Sequence, residues 1–222
     1  MAGVIGILGG TGQLGSGLAL RFTQAGYKVI IGSRSKENAT QAVEKLKAEH
    51  SDLKFDLSGT DNRTAAAEAD LIILTVHYEH LTGLLEQLKA ETGGKIVVST
   101  INPLTFAGGK AGLLPVAANS VAELVQEYLP EAKVTAAFNT VSAALLSNLD
   151  KPLDEDILIA GDDKAARSEV VNLANAIPGL KGVEAGPLRI AKYLEEMIVL
   201  IISLNRVNKA QTGFRVTGLN EA

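Results

Sequence analysis

The chain has 222 residues, 46% of them hydrophobic and only 4% aromatic, so one domain with a modest extension is expected, its core built from Ala, Val, Ile and Leu as in a buried sheet covered by helices. A formal net charge of -4, with no cluster of Lys and Arg along the chain, argues against a nucleic-acid partner. The absence of cysteine excludes disulfides, thiolate catalysis and Cys-ligated metal sites, so any redox chemistry must come from a bound cofactor.

Residues 4–8 form a short apolar run that meets Gly9-Gly10-Thr11-Gly12, after which Leu14, Leu18 and Phe22 recur at helical spacing until Gly26. That is strand, turn, helix. A second strand is predicted at 28–31, a charged amphipathic helix at 36–49 and a third strand at 53–57. A short helix at 65–69 precedes a strand at 71–76, a helix at about 80–89 and a strand at 95–100. Alternating strands and helices predict a parallel sheet with right-handed crossovers.

Residues 102–119 carry Pro103, Gly108, Gly109, Gly112 and Pro115 and read as a long functional flap. Ser120 and Glu123 form a capping box that opens a helix running to Tyr128. A sixth strand at 134–137 ends at Phe138-Asn139-Thr140. Beyond it come a short helix at 142–146, a strand at 156–160, a helix at 163–174 and an edge strand at 181–184. The last helix, 188–209, is apolar nearly all round between Met197 and Leu204, which predicts burial on more than one side and hence a homodimer. That run is too short to span a bilayer, and Met1-Ala2-Gly3-Val4 lacks the basic start of a signal peptide, so the protein is expected to be soluble and cytoplasmic, with no membrane partner.

Gly10-Thr11-Gly12-Gln13-Leu14-Gly15 matches GxGxxG at the turn between the first strand and first helix. In that position the glycines permit the tight turn, the approach of a pyrophosphate and close helix–strand packing, while the helix N-terminus supplies N–H donors. The fold expected is therefore α/β, a Rossmann-type doubly wound, mostly parallel sheet with a small C-terminal helical extension. Residues 1–186 would form the nucleotide-binding domain and 187–222 the helix, tail and dimer interface. The second strand ends in Gly32-Ser33-Arg34, without the Asp or Glu that would accept hydrogen bonds from an NAD ribose. A hydroxyl beside a guanidinium suits a 2′-phosphate, with Lys36 as a second cation, so NADP(H) is preferred to NAD(H).

Ligands in such sheets lie across the carboxyl ends of the strands, which directs attention to 75–78, 100–103 and 138–141. None of these segments pairs a nucleophile with a base, so the site is not that of a hydrolase. His77, His80 and Asn139 are the polar candidates; Asn139 could orient the nicotinamide or an acceptor. His77 and His80 lie three apart, but no metal site is expected. Hydride exchange between a nicotinamide and a flavin-like ring needs mainly proximity and face-to-face orientation, and is consistent with a site lacking an obvious general acid. A conventional dehydrogenase would want a Lys near the nicotinamide, for which Lys192 is the one late candidate. With only one substantial helix after Pro187, the nicotinamide face should be open to a broad planar acceptor.

The segments 8–15, Gly32-Ser33-Arg34, Glu79-His80 and Ala185-Gly186-Pro187-Leu188, with the terminal apolar helix, resemble NADPH:coenzyme F420 oxidoreductases over nearly the whole chain and in the same order. The resemblance implies a dimeric enzyme exchanging hydride between NADP(H) and a deazaflavin. It also implies NADP contacts at Thr11, Ser33 and Arg34, and a nicotinamide near Val76 and His77. The glycine motif, the strand ends and the resemblance together give as expected cofactor-binding residues Gly9, Gly10, Thr11, Gly12, Gln13, Leu14, Gly15, Ser33, Arg34, Lys36, Thr75, Val76, His77, Ala137 and Asn139. Where archaeal members carry His-Thr-Ile-Pro, this chain has Asn139-Thr140-Val141-Ser142, and the segment 137–143 is closer to the cytosolic NADPH-binding domain of the STEAP metalloreductases. Coenzyme F420, an ordinary flavin (FMN or FAD) and a small carbonyl compound therefore remain as acceptors. An NADPH-binding redox sensor without turnover is the reading of a different class.

Overall fold

A computed structural model describes residues 3–51 and 56–219. In chain order it contains β1 (Val4–Leu8), α1 (Gln13–Gln24), β2 (Lys28–Ser33), α2 (Lys36–Glu49), β3 (Leu57–Asp61), α3 (Asn62–Glu68), β4 (Leu71–Leu74), α4 (Leu81–Leu88) and β5 (Ile96–Ser99). There follow β6 (Leu104–Ala107), β7 (Lys110–Leu113), α5 (Val121–Tyr128), β8 (Lys133–Ala136), α6 (Ala143–Leu146), β9 (Glu155–Gly161), α7 (Lys164–Asn175), β10 (Leu180–Gly186) and α8 (Ala191–Asn208).

The main sheet has the order β10-β9-β8-β5-β4-β1-β2-β3. β1 is flanked by β2 and β4, both parallel to it, so the chain winds outward in opposite directions from β1 and opens a crevice at the carboxyl ends of the central strands. The central strands are apolar on both faces because helices cover both. Leu18 and Phe22 of α1, Val43 of α2, Leu146 of α6 and Val170 of α7 pack on one face; Ala65 of α3, Leu85 of α4, Val125 of α5 and Leu194 of α8 pack on the other. The cap predicted at Ser120 is present, its side chain accepting from Glu123 N, and Asp61 and Asp163 cap α3 and α7 by accepting from Thr64 N and Ala166 N.

Three expectations are corrected. The third strand lies at Leu57–Asp61, not at 53–57, most of which falls outside the described residues. Its sequence is polar because it is an edge strand, and it is small because α2 lies close over it: a Cβ at Gly59 would stand 2.6 Å from the Ala39 carbonyl carbon. The segment 102–119 is no irregular flap, since β6 and β7 pair in an antiparallel hairpin. Its turn is Gly108-Gly109, at φ 57 and 72, the left-handed pair that a two-residue hairpin loop requires. The strict βα alternation breaks after β8: the short α6 gives no full crossover, so β9 returns antiparallel to β8 and β10 follows parallel to β9.

Within the chain α8 is buried along one side, at Ala191, Leu194, Glu195 and Ile201, while Tyr193, Leu200, Leu204 and Val207 are exposed. Glu195 is a buried carboxylate that accepts from Val121 N at 2.8 Å and Ala122 N at 3.0 Å, the first two N–H groups of α5, and so ties α8 to the body. No helix among the described residues is long and apolar enough to cross a membrane.

Candidate active site

The turn after β1 is shaped by close packing. A Cβ at Gly10 would lie 2.7 Å from Ile7 O, and one at Gly15 would lie 2.5 Å from Gly10 Cα, so α1 can rest on the turn only with glycine at both positions. Gly12 differs. A Cβ there would meet only Gly9 O, 3.9 Å away, and its φ of -78 is open to any residue. Nothing in the protein needs a glycine at this position, whereas a ligand drawn against the backbone would. Gly12 is also the N-cap of α1, with no side-chain cap and no acidic residue in the first turn, which leaves the helix N-terminus free for an anion. A dinucleotide pyrophosphate fits this cradle.

Across the crevice, Thr75 continues β4 by donating from N and Oγ1 to Leu8 O at 2.9 and 3.0 Å, which brings Val76 against the glycine turn. Ser33 closes β2 buried, Arg34 is exposed beside it, and Ser35 caps α2 by accepting from Asn38 N at 3.3 Å. A cleft of about 960 Å3 is lined by Gly9, Thr11, Gly12, Ser33, Arg34, Thr75, Val76 and His77. Eight of the residues expected from sequence are thus brought together. Gly10 and Gly15 are buried behind this lining, Gln13 stands exposed and Leu14 half-buried in the first turn of α1, and Lys36 stands exposed at the start of α2.

Sequence reading missed two parts of the lining: Asp61, Asn62 and Arg63 at the junction of β3 and α3, where Asp61 is the strand partner of Ser33, and Thr82, Gly83 and Gln87 of α4. The signal for the first was the Asp61/Thr64 cap spacing, hidden because the third strand was placed too early. The Asp61 carboxylate accepts from Thr64 N and Thr64 Oγ1, and these hydrogen bonds hold it below the usual carboxylate range. Arg63 Nε pairs with Glu91 at 2.5 Å. His77, exposed, precedes a single 3-10 turn at Tyr78–His80, and His80 N donates to His77 O at 2.9 Å. Among the described residues no group of three or more His, Asp or Glu could hold a metal.

Asn139 and Ala137 stand apart from that cleft. Ala137 is fully buried at the end of β8. Phe138 follows with φ 59, a left-handed conformation unfavourable for a side-chain-bearing residue, fixed by edge contact with the Phe22 ring at 6.0 Å. The reversal aims Asn139 inward. Asn102 Nδ2 donates to Asn139 O at 2.7 Å and Asn139 Nδ2 to Asn102 Oδ1 at 3.2 Å, while Asn139 Oδ1 is buried without a partner. A small cavity of about 10 Å3 there is walled by Phe138, Asn139, Thr140, Leu158, Leu194 and Met197. Lys192 lines neither space. The tail beyond α8 closes over this side: Thr212 N and Oγ1 donate to Asn205 Oδ1, and Ser142 Oγ donates to Gln211 Oε1 at 2.9 Å.

Comparison with known proteins agrees with this geometry. Residues 4–103 match the family model described as NADP oxidoreductase, coenzyme F420-dependent. The chain is 44% identical over 220 residues to the F420-dependent NADP reductase of Methanocaldococcus jannaschii, covering 97% of this chain and 98% of that one. A crystal structure from Arthrobacter sp. FB24, described as a candidate F420-dependent NADP reductase, superposes with a TM-score of 0.82 at 27% identity, covering 96% of this chain and 99% of the other. The weaker likeness to the metalloreductase STEAP2 of Mus musculus is 26% over 205 residues, 91% of this chain and 37% of that longer protein.

Proposed function

The chain belongs to the family of coenzyme F420-dependent NADP oxidoreductases, and from that membership we propose that it exchanges hydride between NADP(H) and coenzyme F420 in the cytoplasm. The observation that carries the nucleotide half is Gly12, a glycine that the protein's own packing does not need, in one cleft with Ser33 and Arg34. Gly9 to Gly15, including the backbone of Gln13 and Leu14, receives the pyrophosphate. Ser33 and Arg34 hold the 2′-phosphate, with Lys36 adding a cation at the rim. Thr75, Val76 and His77 border the nicotinamide, and Ala137 lies at the strand end beyond it.

Bound together, the nicotinamide and the deazaflavin supply the redox chemistry, one hydride passing between them with release or uptake of one proton. The chain's own task is placement and exclusion of water. Asn139 Oδ1, buried and unpartnered, stands apart from the nucleotide cleft beside a cavity of about 10 Å3, room for a water molecule and not for a ring. Asn102 fixes the orientation of that amide.

The working unit in this reading is a homodimer. Leu200, Leu204 and Val207 of α8 and Phe106 and Leu113 of the hairpin are exposed apolar side chains, and Arg206 Nη1 donates to Gly109 O at 3.0 Å to hold the two elements together. A second copy is the occupant that would bury them.

Steady-state assays with NADPH against coenzyme F420, FMN and FAD test the function. Turnover is expected with coenzyme F420 and at least about a hundredfold less with FMN or FAD, a difference of roughly 2.7 kcal/mol in the transition state. Tight NADPH binding without turnover on any carrier would move the protein to the redox-sensor class.

A further inference from the structure

Three consecutive residues at the start of α3 reach the nucleotide cleft, and two are committed elsewhere. The Asp61 carboxylate serves Thr64, and Arg63 Nε serves Glu91. Asn62 between them is 8% exposed and turns toward the glycine turn, where its Oδ1 accepts from Gly9 N at 3.1 Å across 53 residues of sequence. A backbone N–H can only donate, so the amide oxygen must face Gly9 and the amide nitrogen must face away from it.

Room for this side chain is provided by Gly32, where a Cβ would come within 2.8 Å of Asn62 Oδ1. Gly32 O in turn accepts from Gly10 N at 3.0 Å. The glycine turn is therefore pinned twice from its β2 side, by one backbone carbonyl and one side-chain amide. Asn62 Nδ2 has no hydrogen-bond partner among the described residues, although the side chain is more than nine-tenths buried and lines the cleft with Gly9, Gly12, Ser33 and Arg34. A donor with no protein partner that opens onto the cleft is complementary to an acceptor that arrives with a ligand.

We propose that Asn62 is a positioning residue of the nucleotide site, its Oδ1 locking the Gly9 turn and its Nδ2 donating to the adenosine ribose phosphate that spans from Gly12 to Arg34. The inference rests on the reading of this cleft as the NADP site. It names the adenosine half because the ribose is the part of the dinucleotide that joins the pyrophosphate, at the glycine turn, to the 2′-phosphate, at Ser33 and Arg34. One amide thus makes the shape of the pyrophosphate turn and the seating of the ribose interdependent.

Calorimetric titration of the full chain with NADPH and with adenosine 2′,5′-bisphosphate tests it. Asn62→Ala removes both contacts without adding charge, and Asn62→Asp keeps an acceptor for Gly9 N while replacing the donor by a carboxylate. Both variants should bind both ligands about tenfold or more weakly, as expected when a hydrogen bond to a charged group is lost. In turnover the KM for NADPH should rise by a larger factor than kcat falls. A merely structural Asn62 would instead lower the unfolding midpoint and leave the affinity of the folded fraction unchanged. Affinities of Asn62→Ala within twofold of wild type would overturn the inference while leaving the cleft assignment intact. If Asn62→Asp does not fold, Asn62→Ala, in which water can reach Gly9 N, carries the test alone. Failure of the wild-type protein to bind either ligand would remove the cleft reading and the inference with it.

Discussion

Gly12 and Gly15 are three positions apart in one motif, yet a methyl group has a different neighbour at each. At Gly15 it would be driven into Gly10 Cα, so Gly15→Ala should destabilise the fold by about 1–3 kcal/mol, the usual cost of overpacking. At Gly12 it would enter open space, so Gly12→Ala should cost no more than about 1 kcal/mol, the loss of a tolerable N-cap. NADPH affinity should nonetheless fall at least about tenfold, because the methyl occupies ground the pyrophosphate needs. Urea unfolding and NADPH titration of the two variants check this pair, and equal losses of affinity and stability in both would remove the distinction. The motif was legible in sequence as a pattern; which glycine serves the protein and which serves the ligand was not, because that depends on what each absent Cβ would touch. Asn62 was invisible for a related reason. Its partner is 53 residues away, and an Asn at a helix start reads as local capping.

Among the elements, α8 shows where periodicity falls short. Its sequence is apolar nearly all round, and the strip at Leu194 and Ile201 packs on the body while Leu200 and Val207 do not. Which side meets the core is chosen by Glu195, whose carboxylate must reach the N–H groups of α5. Leu200→Glu together with Val207→Glu should therefore yield folded monomers, as read by sedimentation, whereas polar substitution of the buried Ile201 would unfold the chain itself. A persistent dimer in the double variant would place the interface elsewhere. Element types were otherwise recoverable from spacing. The exceptions were polar β3, which is short of apolar residues because it is an edge strand, and the Gly108-Gly109 hairpin, whose strands are largely exposed and so lack a hydrophobic signal. Arg21 is a further case. Its guanidinium is buried and donates to the carbonyls of Leu145, Leu146, Asn148 and Lys151, so this charge on α1 is the tie holding the chain after α6.

At the scale of the whole molecule, stability should depend on pH through two buried carboxyls. Burial pushes both Glu155 and Glu195 up to about 7. Their folded-state pKa values lie above the unfolded value of about 4.5, so their favourable contribution is complete below about pH 4.5 and is lost as the pH rises toward 7. Glu195 is compensated by two backbone donors, but Glu155 Oε2 is buried without a partner. Glu155→Gln should therefore stabilise the protein at pH 8 by on the order of 2–3 kcal/mol and change little at pH 4.5. Denaturant unfolding at the two pH values reads the difference, and an equal effect at both would exclude Glu155 as its origin.

The sequence by itself determined the α/β class, the glycine-rich strand–turn–helix, NADP as the nucleotide and the family, because each is carried by residues adjacent in the chain or at a helical or strand period. Tertiary structure alone decided that β9 returns antiparallel, that Asn139 lies apart from the nucleotide cleft behind a strained Phe138, and that Asn62 and Asp61 join the cleft's lining beside Gly9 and Ser33. Those outcomes depend on contacts between residues tens of positions apart, where a side chain's partner is set by packing and not by its neighbours in sequence.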